Sequence, residues 1–186
     1  EPGLNVLPPG VERHVVNAGG LTGLQIFPDD EIEIINDEGN QICEIICFDK
    51  DGKSELGIIN QKENTKKSFI KEILKGKEES SLITNLQLKK RNLDINKSQS
   101  SILFDDQTPS GEKIKIKSKD KCYVIFSAPQ NEMLVSEQNP SSDITIFVKR
   151  SKIINDKELS VIPDPVFEPK YEKNIDRQTS ISYQVK

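Results

Sequence analysis

The 186 residues contain no tryptophan, one histidine (His14), one methionine (Met133) and three cysteines. Each shortage closes a line of chemistry. With a single imidazole, any Ser–His or Cys–His nucleophilic set has His14 as its only base. A structural zinc site needs four ligands, and a Cys43–Cys47 pair with Cys122 and His14 has no such spacing. Three thiols without framework spacing argue for reduced, cytoplasmic cysteines that pack as small hydrophobes. No apolar run reaches the length of a membrane span, and the opening Glu1-Pro2-Gly3 is not a signal peptide, so neither a membrane partner nor secretion is expected. Walker and dinucleotide glycine patterns are absent, and Ala18-Gly19-Gly20 leads toward a strand where a phosphate loop would open a helix.

Charge is plentiful but not gathered. The 26 basic residues are interspersed with 30 acidic ones, for a net charge of −4. Phosphate neutralisation needs clustered Lys and Arg, so nucleic acid is not an expected partner. The local exception, Lys113, Lys115, Lys117, Lys119 and Lys121, alternates along one segment as the solvated face of a strand would. Hydrophobic residues make up 34% of the chain and charged ones 30%, which leaves a core of roughly 130 residues plus extensions. The length fits one globular core.

What is present reads mainly as β. Short β-branched runs broken by turn signals predict strands near 13–17, 22–27, 31–36 and 41–48 in an antiparallel meander, then a short strand at Leu56–Ile59 and more strands at 101–105, 112–117, 121–127 and 143–149. Gly19-Gly20, Pro28-Asp29-Asp30, Glu38-Gly39-Asn40 and Asp49-Lys50-Asp51-Gly52 supply the turn chemistry between them. Ile42, Ile46 and Phe48 share a strand with Cys43 and Cys47 on its other face, so that strand should be central and covered from both sides. Glu44 falls on the apolar Ile46 and Phe48 face and needs partners there. Two short helices are expected within 64–92, the second burying Leu82, Ile83 and Leu86. The fold class is therefore mainly β, an antiparallel β-barrel or sandwich-like domain with two short helices inserted near 64–92.

The organisation expected is a β-rich core over residues 1–150 and an extended, proline-rich tail or linker over 151–186. Pro163, Pro165 and Pro169 exclude a regular element there, and Ser180–Lys186 alternates like the first strand of a further module. With Met133 as the only methionine, the sequence reads as a stretch of a longer protein. Candidate catalytic groups are few. His14 lies on a predicted strand and reads as a structural or surface histidine; a pairing with Cys43 is conceivable if their strands are neighbours, though nothing in the sequence requires it. Among the carboxylates Glu31, Glu33 and Glu44 come first, because they flank a predicted turn on central strands.

The segment from Gly10-Val11-Glu12 through Gly19-Gly20 and Pro28–Ile34 to Gly39-Asn40-Gln41-Ile42-Cys43-Glu44 resembles the urea-carboxylase-associated family, in which a strand leads into a Gly-Asn-Gln turn with an acid a few residues on. The resemblance implies ligand contacts at Asn40, Gln41 and Glu44, to which Cys43 and His14 are added from the reading above. It also implies two settings. In one, relatives are metal-dependent carboxyguanidine deiminases with late His and Cys ligands, yet no histidine follows Cys122 here. In the other, such domains precede a folate-dependent aminomethyltransferase module similar to the glycine-cleavage T protein. That setting implies an N-terminal accessory or ligand-binding domain with the following domains of the same polypeptide as partners. A small-molecule ligand is left open, as is a homo-oligomer, and a purely structural oligomerisation domain remains the third alternative. No cofactor is expected in this chain itself, and tetrahydrofolate is implied only for the parent protein.

Overall fold

The structure is a computed structural model that describes residues 6–131 and 140–152. Eight strands follow one another along the chain: β1 (Val11–Val16), β2 (Leu21–Ile26), β3 (Glu31–Asn36), β4 (Cys43–Asp49), β5 (Ser100–Phe104), β6 (Glu112–Lys117), β7 (Cys122–Ser127) and β8 (Ile144–Lys149). They form two four-stranded antiparallel sheets, ordered β1-β8-β3-β6 and β2-β7-β4-β5. This alternation of successive strands between two sheets is the strand order of a double-sheet jelly roll.

The sandwich form of the expected fold is the one adopted, and no closed barrel is present among the described residues. The meander is corrected. The tight turns after β1, β2 and β3 carry the chain across to the opposite sheet, so strands adjacent in sequence do not pair there. Gly19 and Gly39 adopt positive φ at two of these corners (76° and 79°), and a Cβ on Gly39 would come within 2.6 Å of the Ser110 backbone nitrogen. The strand expected at Leu56–Ile59 is a single 3₁₀ turn, closed by Asn60 in the left-handed region and capped by the Glu55 carboxylate. Leu56 and Ile59 still enter the core from it.

Alternation sorts the side chains. Ile32, Ile34, Ile45, Cys47, Val124, Phe126, Ile144 and Ile146 fill the space between the sheets. β4 is buried on both faces, as its sequence requires, because the second sheet carries another apolar layer on its outside. There Leu21, Ile46, Phe48, Tyr123 and Ile125 meet Ile70, Leu74 and Leu88 from the helical insertion between β4 and β5. That insertion holds α1 (Phe69–Ile73) and α2 (Glu79–Lys90).

The orientation of α2 differs from expectation. Ser81, Thr84, Gln87 and Leu88 face the sheet, whereas Leu82, Ile83 and Leu86 point outward and Leu82 is 56% exposed. Small and polar side chains let the helix approach the sheet closely, with Ser81 donating to the Ile73 carbonyl (2.8 Å) and Ser80 accepting from the Leu21 amide (3.3 Å). The tail expected over 151–186 lies, apart from Ser151 and Lys152, outside the described residues, as does the alternating stretch 180–186. No described helix is long and apolar enough to cross a membrane.

Candidate functional site

The residues singled out by sequence occupy four separate environments. Asn40 sits at the β3–β4 corner with φ of 55°, its carbonyl accepting from the Asn131 side chain (3.2 Å). Gln41 beside it is fully buried and ties three segments together: its amide donates to the carbonyls of Ile42 (2.9 Å) and Pro129 (2.8 Å), and its Oε1 accepts from the Ser142 backbone (2.8 Å). Asn36 donates to the Gln41 carbonyl (2.8 Å), while Asn36 Oδ1 and Ser142 Oγ have no partner among the described residues. This polar end plug ties Pro129 and Ser142 to the corner. Its geometry is that of a loop staple.

Cys43 points between the sheets. Burial, with a smaller push from the neighbouring Glu44 carboxylate, drives its thiol well above the ordinary cysteine range. Cys47 is likewise raised, by its hydrogen bond to Cys122 and by burial. Glu44 projects to the opposite face of the same strand. There Oε1 accepts from Ser68 Oγ (2.7 Å) and Oε2 from the Ile70 amide (2.8 Å). Ser68 is the N-cap of α1, so the buried carboxylate satisfies the first turn of that helix and clamps it to the sheet. The need for partners read from sequence is met by a structural role.

His14 is on the other sheet. Its strand pairs with β8 alone, so the conceivable pairing of His14 with Cys43 on neighbouring strands does not form: β4 belongs to the second sheet. The His14 ring sits 3.0 Å from Glu12. Glu31 and Glu33 lie on the solvent face of the first sheet, where Glu33 pairs with Lys115 at 3.6 Å. No three His, Cys, Asp or Glu among the described residues converge as a metal site requires. A cavity of about 740 Å³ between the β1–β2 corner and the start of α2 is lined by Glu78, Glu79 and glycine backbone with no aromatic ring.

Two charged constellations went unread in the sequence. Arg150, at the end of β8, forks onto both Glu12 oxygens (2.9 Å each) and donates to Asp30 Oδ2 (2.7 Å) and the Gln25 carbonyl (2.9 Å). Asp30 is fully buried and also accepts from the amides of Phe27 and Ser151. Arg91, at the end of α2, stacks over Tyr123 at 4.3 Å beside a cavity of about 280 Å³. Neither arginine belongs to a spacing motif, and their partners lie thirty or more residues away, so local pattern held no signal for these contacts.

The fold and its contents thus define a jelly-roll sandwich with a helical cover, in which buried polar groups serve the architecture and the predicted site residues do not converge. No protein-family model matches the chain. Over all 186 of its residues it is 29% identical to a trimethylamine-oxide aldolase of Ruegeria pomeroyi, and it spans 23% of that protein's length. Similarity to part of a larger enzyme agrees with the expectation of further modules. The urea-carboxylase-associated name itself is not supplied by these matches.

Proposed function

We propose that this chain is an N-terminal accessory, non-catalytic domain of a larger one-carbon enzyme of the folate-dependent aminomethyltransferase type, related to trimethylamine-oxide aldolase. The observation that carries this reading is the match of the whole chain to 23% of that relative. The scatter of His14, Cys43, Glu44 and Gln41 over separate environments supports it, because catalysis needs converging groups. On this reading the chemistry, and any tetrahydrofolate, belong to modules beyond the domain. The outward stripe of Leu82, Ile83 and Leu86 on α2 is the surface through which the domain meets those modules, since exposed apolar stripes mark interaction sites.

The test is to express the full open reading frame and the 186-residue chain separately, and to follow trimethylamine oxide by proton NMR with and without tetrahydrofolate. Consumption is expected from the full protein and none from the chain alone. Turnover by the isolated chain would end the reading. In the full protein, Leu82→Glu with Leu86→Glu should loosen the domain, seen as an earlier, separate unfolding transition. An unchanged melting profile would remove α2 from the interface.

A further inference from the structure

The two arginine sites differ in a way that points to a ligand, the Arg150 side chain being buried and Arg91 only half-buried. Arg150 is matched by two carboxylates. Arg91 forms no ion pair among the described residues, yet it is as firmly positioned: Nη1 donates to Gln25 Oε1 (2.8 Å), Gln25 is anchored in turn on the Cys122 carbonyl (2.7 Å), and the guanidinium plane stacks on Tyr123. Its Nε is closed off from solvent and has no partner among the described residues, so contact with a ligand falls to the rest of the guanidinium, which lines the adjoining cavity. A guanidinium held in place on a cavity wall with no carboxylate partner among the described residues suits an oxyanion, which it binds through charge-assisted hydrogen bonds.

The adjoining cavity, about 280 Å³, lies at the seam between the end of α2 and the ends of β2, β4 and β7. It lies just below the roughly 300–1,000 Å³ of pockets for drug-sized ligands, so a small molecule fits it. Its walls carry both signs. Lys50 and Lys121 stand with Arg91 on the positive side, Asp49 and Asp51 on the negative. Asp49 is engaged by the amides of Asp51 and Lys53, whereas the Asp51 carboxylate makes no contact among the described residues. The cavity also sits at the C-terminal end of α2, whose dipole opposes added negative charge. A dianionic phosphate is disfavoured there, and a monoanion joined to a cation is not.

We propose that this cavity binds a small zwitterion of the amino-acid class, its carboxylate on Arg91 and its ammonium toward Asp51. The site is independent of whether the domain belongs to a one-carbon enzyme, because its readout is binding and not turnover.

Glycine, the smallest member of the class, is the probe. It is titrated into the ¹⁵N-labelled 186-residue chain at constant ionic strength, with acetate, phosphate and chloride in parallel. The expected result is a saturable shift of the Arg91 Nε–H and Gln25 side-chain amide signals with glycine, weaker with acetate and absent with chloride. Arg91→Met should weaken binding about 10- to 100-fold, the loss of a charge-assisted bond. Because that substitution also touches Tyr123, Asp51→Asn, on an exposed turn, serves as the second variant and should weaken glycine while leaving acetate unchanged. Phosphate binding as tight as glycine overturns the proposal, as does glycine affinity that neither variant alters, or the absence of any saturable shift.

Discussion

The two sheets are built on the same plan and finished differently. Each has four antiparallel strands and one face in the shared core. On the outside of the first sheet, β3 sets Glu31 and Glu33 against Lys117, Lys115 and Lys149 of its neighbours, and this part of the face meets water, whereas Ile35 and Thr145 at its far end are buried. On the outside of the second, Leu21, Ile46, Phe48, Tyr123 and Ile125 are roofed by the helical insertion. A strand that alternates can end a domain against solvent, whereas one apolar on both faces obliges the chain to supply a second layer. Here that layer is delivered by about fifty residues between β4 and β5 and fastened by Glu44 at α1 and by Ser80 and Arg91 at the two ends of α2.

The sharpest test of this contrast uses one residue type on each face. Phe48→Ala, under the helical roof and 1% exposed, should cost about 3–5 kcal/mol in urea unfolding. Phe147→Ala, half-buried on the open face, should cost about 1 kcal/mol or less. Equal losses would mean that the open face is covered in solution. The carboxylates give a second, smaller pair. Glu44→Ala strands the Ser68 hydroxyl and Ile70 amide in a buried layer, for a loss of about 2–3 kcal/mol and faster hydrogen exchange across α1. Glu33→Ala removes a solvated partner of Lys115 and should change stability by about 0.5 kcal/mol or less.

The same contrast explains what could be read without a structure. Period-two alternation is local, so eight strands fall within one or two residues of expectation, and the doubly apolar β4 announces its central place. Which strands pair is not local, because the corners at Gly19 and Gly39 serve a hairpin or a crossing equally well. Helix α2 misled for a physical reason. Periodicity marks Leu82, Ile83 and Leu86 as the buried face, but close packing on the sheet selected Ser81, Thr84 and Leu88 instead. Of the candidate site residues, the burial of Glu44 and its demand for partners were legible, while the identity of those partners, a cap serine and an amide twenty-odd residues on, was not. Arg91 and Arg150 gave no sign because an unpaired and a doubly paired arginine look alike in one dimension.

The smallest expected effect concerns the point where the two sheets are joined. Arg150 gathers Glu12 from the first sheet, the Gln25 carbonyl from the second and Asp30 from the connection between them. Burial alone would raise the Glu12 carboxyl, but its hydrogen bonds and charge contacts with Arg150 and His14 outweigh burial and hold it below its ordinary value of 4.5. A folded-state pKa below the unfolded one means that the unfolded chain binds more protons as acid is added, so stability rises with pH across that interval. The contribution is present in full above about pH 4.5 and is lost as pH falls through the lower, folded value. Glu12→Gln should therefore be less stable than the parent at neutral pH and converge on it under acid, in paired urea titrations. A stability difference that stays constant with pH would show that Glu12 joins the sheets by shape alone, and would leave Asp30 as the sole electrostatic tie of Arg150.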